Sequence, residues 1–244
     1  MLPPARPRAA LCLGPPGTRV GSIEEPLAEL MSGDRLPLRR STTGWHVTGA
    51  PNTSLAEIAW WLNTQGLASR WRDELLAVTD EADQPVAAIE RAAVRPLGIT
   101  THAVHLVVRT AAGGVWVQQR ALDKATDPGL WDTTMGGLRA AAETARHALG
   151  RETWEEAGLR LADLQALAPR GRITVRRPAV EGYMVEHIDT FDAVLPEGMA
   201  PVNQDGEVAG FECITLADLR QRLQRDQFTL EAALVLLRCI PGLG

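Results

Sequence analysis

Residues Gly136–Leu159 read GGLRAAAETARHALGRETWEEAGL. The pattern predicts a loop that opens into a helix ending at Gly158. Its acids fall at Glu143, Glu152, Glu155 and Glu156. At about 100° per residue, the last three share a helix face with Ala145, Ala148 and Leu149. The carboxylates therefore continue the apolar stripe instead of lying opposite it. Like charges at i,i+3 and i,i+4 repel, and a partly buried group of three needs a cation or protons. Oxygen-only ligation suits Mg²⁺ or Mn²⁺, and Mg²⁺ favours sites shared with substrate phosphates. A solvated, salt-bridged helix end is the simpler reading of any pair of adjacent acids.

The spacing argues for more than that. The stretch resembles the Nudix hydrolase signature, G-x5-E-x7-R-E-U-x-E-E-x-G-U with U aliphatic. Gly137, Glu143, Arg151, Glu152, Glu155, Glu156, Gly158 and Leu159 match. Seven fixed identities at these spacings coincide by chance on the order of once in 10⁸ windows. Thr153 is the departure, and its hydroxyl must find a partner where an aliphatic side chain would stand. The resemblance implies an α+β chain with a Nudix α/β/α sandwich around a mixed sheet. It also implies metal-dependent hydrolysis of a diphosphate linked to another moiety. Glu152 and Glu156 are the first-choice metal ligands, Glu155 the third, and the Gly137 carbonyl a fourth. Arg151 would orient the glutamates, and Glu143 would support the site or ligate directly. Glu152, Glu155 and Arg151 are thus candidate catalytic residues. In this family the general base often lies outside the box. Glu181, Glu186, Glu207 and Glu212 are candidates, and Glu207, in the loop-to-strand stretch Gln204–Val208, is chosen.

Upstream of the box, Arg120-Ala-Leu-Asp-Lys124 and Asp127-Pro-Gly-Leu-Trp131-Asp resemble the substrate-side loop of several Nudix enzymes and of isopentenyl-diphosphate isomerase. Arg120 and Lys124 could grip a diphosphate through charge-assisted hydrogen bonds; plain surface charge is the alternative. Trp116, Trp131 and Tyr183 are candidate stacking partners for a heteroaromatic ring, although each is more often core. His102 and His105 are three apart on an expected strand and point to opposite faces, which argues against a metal site made by that pair.

The remaining chain is read from periodicity. HAVHLVVRT (102–110) and VWVQQR (115–120) flank a turn and predict a hairpin. Trp131–Met135 predicts a short strand, and 171–177, 182–195 and 207–216 predict three more. Helices are expected over 217–224 and 229–240, the last burying Leu230, Ala233, Leu234 and Leu237. N-terminal to these, residues 1–22 are rich in Pro, Gly and Arg and read as an irregular tail. A short helix is expected near 24–31, a strand ending at Trp45–Val47, and a helix capped at Ser54 and stopped by Gly66. Arg95-Pro96-Leu97-Gly98 marks a boundary, so 23–97 is expected to be a small α+β domain and 98–244 the Nudix domain. Gly66-Leu67, Trp71–Leu75, Ile89–Ala93, Gly98-Ile99 and His102–Leu106 resemble the Nudix branch related to thiamine pyrophosphokinase, which carries such a preceding domain.

Composition sets outer limits. The 244 residues are 45% hydrophobic and 23% charged, ordinary for a globular protein. A net charge of −5 supplies no basic footprint for nucleic acid. Cys12, Cys213 and Cys239 make neither a metal spacing nor a disulfide framework, which favours a reducing cytoplasm. No apolar run is long enough to span a membrane. The partner expected is a small diphosphate, with a homodimer left open. Thiamine diphosphate-like compounds are favoured as substrate, ADP-sugar or other nucleotide diphosphates are the alternative, and a non-catalytic ligand sensor is a third reading. Isomerase chemistry of the isopentenyl type needs a cysteine just after the strand before the box, where this chain has Met135-Gly136-Gly137.

Overall fold

Among the described residues, thirteen strands and five α-helices follow one another along the chain. The computed structural model describes residues 2–14, 17–124, 126–204 and 206–243. By internal contacts these divide into two units. The first comprises Met1–His102, Ala140–Ala142 and Thr174–His187; the second comprises Ala103–Arg139, Glu143–Ile173 and Ile188–Gly244.

The first unit opens with β1 (Arg8–Leu13) and β2 (Thr18–Glu24), followed by α1 (Glu25–Gly33), β3 (Leu38–Ser41), β4 (Gly44–Val47) and α2 (Pro51–Thr64). Its sheet has the order β2-β1-β4-β3, with β1 parallel to β4 and the other neighbours antiparallel. This corrects the expectation of an irregular tail over 1–22. Local composition is Pro- and Gly-rich, but Leu11, Cys12 and Leu13 are buried against partners far along the chain, Trp45–Val47 among them. Met1, Pro15 and Pro16 of that stretch lie outside the described residues. A second correction concerns α2. It begins at Pro51 after Ala50, and Ser54 lies inside it, its hydroxyl donating to Thr48 O at 2.6 Å instead of capping. Leu55, Ile58 and Leu62 form the buried stripe. The hairpin of β5 (Leu75–Thr79) and β6 (Pro85–Glu90) follows.

The main sheet is built from β7 (Thr100–Thr110), β8 (Val115–Arg120), β9 (Trp131–Asp132), β10 (Met135–Leu138), β11 (Gln165–Ala179), β12 (Gly182–Leu195) and β13 (Val208–Ile214). Its order is β11-β12-β7-β8-β13, with β10 on β7 and β9 on β8. The helices are α3 (Ala145–Ala157), α4 (Leu216–Gln224) and α5 (Leu230–Cys239). The expected α+β class, with sheets and helices in both parts of the chain, is present. The core of the second unit joins Val104, Leu106 and Val108 of β7 to Ala148, Leu149 and Ala157 of α3, with Met135, Ala193 and Leu195. Helix α5 turns a different face inward from the one expected: Ala232, Val235, Leu236 and Cys239 are buried, while Leu230, Leu234 and Leu237 are 37–45% exposed. Both faces of this helix are apolar, so periodicity alone does not select one.

No helix among the described residues is long and apolar enough to cross a membrane. The three cysteines are free thiols.

Candidate active site

Helix α3 carries the acids, and its two ends are sharply defined. Thr144 accepts from His147 N at 3.2 Å as N-cap. At the other end Gly158 adopts φ 63°, and Leu159 N returns to Thr153 O at 3.3 Å, a Schellman-type stop. A side chain at Gly158 would also meet Val202 O at 2.9 Å. Thr153, the departure from the aliphatic pattern, is fully buried and its hydroxyl donates to Leu149 O at 2.5 Å. The extra polar atom is thereby satisfied within the helix.

Strand β10 brings the backbone up to the acids. It runs antiparallel to β7, with Gly136 opposite His105 and Gly137 opposite Val104. A Cβ on Gly137 would overlap the Glu152 carboxylate, and one on Gly136 would press into the His105 ring. The glycine pair is what lets two carboxylates and a main chain share this space.

Glu156 is 6% exposed, and its Oε2 accepts from Gly136 N at 3.1 Å and Gln118 Nε2 at 3.0 Å. Burial pushes its carboxyl up to about 8, assisted by the charge of Glu152; the two hydrogen bonds act the other way but do not compensate. Glu152 is pushed up to about 7, again mainly by burial, with Arg151 opposing and Glu155 and Glu207 adding repulsion. Glu155 lies at the rim with its side chain 45% exposed. Arg151 ties the group together. Its Nη1 donates to Glu152 at 2.9 Å and Glu155 at 3.0 Å, and its Nε and Nη2 each donate to Glu143 at 2.8 Å. Nη2 also reaches Leu138 O at 3.2 Å. Glu143 thus holds Arg151, and the bonded carboxylates hold its guanidinium firmly in the charged form.

This donor set fits a hard divalent cation. Burial disfavours the charge of both Glu152 and Glu156, Glu152 adds repulsion to Glu156, and every donor is oxygen. Glu152 and Glu156 would hold the ion, with Glu155 at the open edge and the Gly137 carbonyl beside Glu152.

The residues chosen outside the box fare differently. Lys124 and Glu207 form an ion pair with each other, and Glu207 is close enough to raise Glu152. Asp205, in the stretch quoted around Glu207, lies outside the described residues. Of the other base candidates, Glu212 is bound by Arg222 at 2.8 Å, Glu181 faces Arg95 at 3.5 Å, and Glu186 accepts from Thr101 at 2.9 Å. Arg120 donates to Thr126 O from Nε and Nη2 and lies 3.4 Å from Asp132. It organises its own loop.

Each aromatic stacking candidate makes another contact in the structure. Trp116 packs against the core of the second unit. The ring of Trp131 is covered by Arg222, whose guanidinium lies 4.6 Å from the ring centroid. Tyr183 belongs to the first unit and donates to Leu2 O at 2.8 Å. Each had an alternative partner that spacing along the chain does not display.

Gln118 and Asp132 were not singled out from the sequence. Gln118 is a polar residue buried on a strand, and its neighbours Val117 and Val115 give the stretch the look of ordinary core. Asp132 is buried, accepts from Thr133 N at 2.8 Å, and adds to the upward push on Glu156. A buried acid next to two threonines is a weak signal that becomes meaningful only beside the box.

The NUDIX domain family matches residues 100–234. Nudix hydrolase 20, chloroplastic, of Arabidopsis thaliana is 28% identical over 179 residues, covering 72% of this chain and 48% of that protein. An uncharacterized Nudix hydrolase of Pseudomonas aeruginosa is 38% identical over 92 residues, covering 38% of this chain and 54% of that one. The chain thus spans about half the length of these relatives. Isopentenyl-diphosphate Delta-isomerases are also among the relatives. In structure, DR0079 from Deinococcus radiodurans superposes with a TM-score of 0.56 at 22% identity, covering 68% of this chain and 99% of that chain. That likeness concerns the fold.

Proposed function

The chain belongs to the Nudix family, and from that premise we propose that it is a divalent-cation-dependent hydrolase of a small diphosphate. The observation that carries this reading is the pair of half-buried Glu152 and buried Glu156, both raised toward or above neutrality beside the Gly136-Gly137 backbone. A bound Mg²⁺ or Mn²⁺ would screen the diphosphate charge and orient it for in-line attack by water. The chain's own groups supply the rest. Arg151 keeps Glu152 and Glu155 aimed and prevents them from splaying apart. Gln118 and Gly136 N fix the rotamer of Glu156 and favour its charged form. Glu207, at the rim, is the proposed general base; Lys124 holds its carboxylate in place until a phosphate draws the ammonium away.

Within that class, a heteroaromatic diphosphate of the thiamine kind is the favoured substrate. Its support is the resemblance of Gly66-Leu67, Trp71–Leu75, Ile89–Ala93 and His102–Leu106 to the thiamine pyrophosphokinase-related branch. An acidic net charge also suits a small ligand better than capped RNA. Isomerase chemistry is disfavoured because the position after β10 opens holds Gly136 and Gly137 and no cysteine.

The deciding experiment is competition at equal concentration among thiamine-type diphosphates, ADP-ribose, dinucleoside polyphosphates and nucleoside triphosphates, with product mass analysis. A kcat/KM about tenfold higher for a nucleotide, equivalent to ~1.4 kcal/mol of transition-state preference, replaces the thiamine reading. Ligand binding without any phosphate release under Mg²⁺ or Mn²⁺ overturns the enzymatic one.

A further inference from the structure

We propose that Asp83, His102 and His187, all in the first unit, form a site for one divalent transition-metal ion of the zinc class, separate from the acidic box. The three come from different elements. His102 lies near the start of β7, and His187 lies on β12, its neighbour in the sheet. Their rings meet edge to face, 5.5 Å between centroids at 84°. Asp83 comes from the turn between β5 and β6. The Asp80 carboxylate accepts from Ala82 N at 2.9 Å and Gln84 N at 2.8 Å, and Asp83 takes φ 60°. Aspartate is one of the few side chains that visits this region readily.

One donor atom from each residue lies within 4.8 Å of the other two. Asp83 Oδ1 and His187 Nδ1 are 3.2 Å apart. With metal–ligand bonds of about 2.1 Å, tetrahedral ligands sit roughly 3.4 Å from one another. The third donor therefore needs a side-chain adjustment on the order of 1 Å. Thr79 Oγ1 lies 3.2 Å from His102 Nε2. With that hydroxyl accepting the Nε2 proton, the Nδ1 lone pair of His102 is presented as the ligand, the arrangement by which metal-binding histidines are commonly held. Two imidazoles with one carboxylate select zinc-class ions, whereas Mg²⁺ and Ca²⁺ prefer oxygen donors.

Asp83 and His187 also line a cavity of about 460 Å³, together with Thr79, Arg19, Arg176 and Tyr183. Three protein ligands leave a fourth position, and two of the three line this cavity. The site is therefore of the open kind, able to exchange a water for a small anionic ligand. The rival account is a simple Asp83–His187 ion pair with a neighbouring histidine.

The test uses the full chain without added histidines, stripped by chelator and titrated with Co²⁺ while Mg²⁺ in large excess occupies oxygen-donor sites. The expected result is one equivalent of Co²⁺ with a visible d–d band, displaced by Zn²⁺. Asp83→Asn and His187→Ala weaken it by about tenfold or more, and Glu156→Gln leaves it unchanged. Asp83 lies on an exposed turn, so its variant stays informative if a histidine variant misfolds, with circular dichroism as the check. Absence of a one-equivalent band in the wild type overturns the proposal. So does a band indifferent to Asp83→Asn, or one lost in Glu156→Gln.

Discussion

The side-chain amide of Gln118 on β8 donates to Glu156 Oε2 at 3.0 Å, tying the central strand pair to the buried acid of α3. This bond favours the ionised form of a carboxyl that burial otherwise keeps protonated. A residue with no part in the sequence signature thus sets how easily the signature's most buried acid can take a cation.

Gln118→Leu removes that donor while keeping similar bulk. Glu156 should then be still harder to ionise, and divalent-cation affinity at neutral pH should fall by about 10- to 100-fold. Isothermal titration of Mn²⁺ into wild type and variant checks this. Equal affinities would mean that Gly136 N alone controls Glu156.

Cation binding should release protons. At pH 7, Glu156 at about 8 is mostly protonated and Glu152 at about 7 is half protonated. A divalent ion that ionises both displaces about one to two protons, and its affinity rises with pH until both are charged. Titration in buffers of different ionisation enthalpy measures the number directly. Hydrolysis should cease in excess chelator and return with Mg²⁺ or Mn²⁺.

Glu156→Gln should fold normally, lose activity by roughly 100-fold or more (~2.7 kcal/mol), and gain stability when metal-free. The sign follows from the raised carboxyl. Below its ordinary value of 4.5 the acid is protonated in both folded and unfolded chains and has no effect. As pH rises from there to about 8, the unfolded chain loses its proton first, and the wild type loses stability. Thermal melts with chelator should therefore show a variant advantage at pH 8 that disappears near pH 4. An advantage independent of pH would point to packing instead.

Gly137→Ala tests the close approach of β10 to the helix. The new methyl would overlap Glu152, so either the carboxylate or the strand must move. Activity should drop more than for Ala at Gly33, which has open space around it at the end of α1 and an ordinary backbone conformation. Similar behaviour of the two variants, measured as kcat/KM and Tm, would show that the gap at Gly137 relaxes freely.

The chain's local patterns determined a good deal. The acid spacing and Gly158 define α3, because side-chain period and a helix stop act within a few residues. Alternation likewise defines β7, β8 and β12. Tertiary structure decided the remainder. It pairs β1 with β4 despite a Pro- and Gly-rich context, since a sheet edge is satisfied by residues distant in sequence. It chose which apolar face of α5 is buried, and it covered Trp131 with Arg222 and set Trp116 against the core. It brought Gln118 to Glu156, and His102 to His187 instead of His105. Period and spacing report which residues share a face of one element. Which partner that face meets depends on non-local packing, and from that follow the burial and charge environment that make an acid or a histidine a ligand.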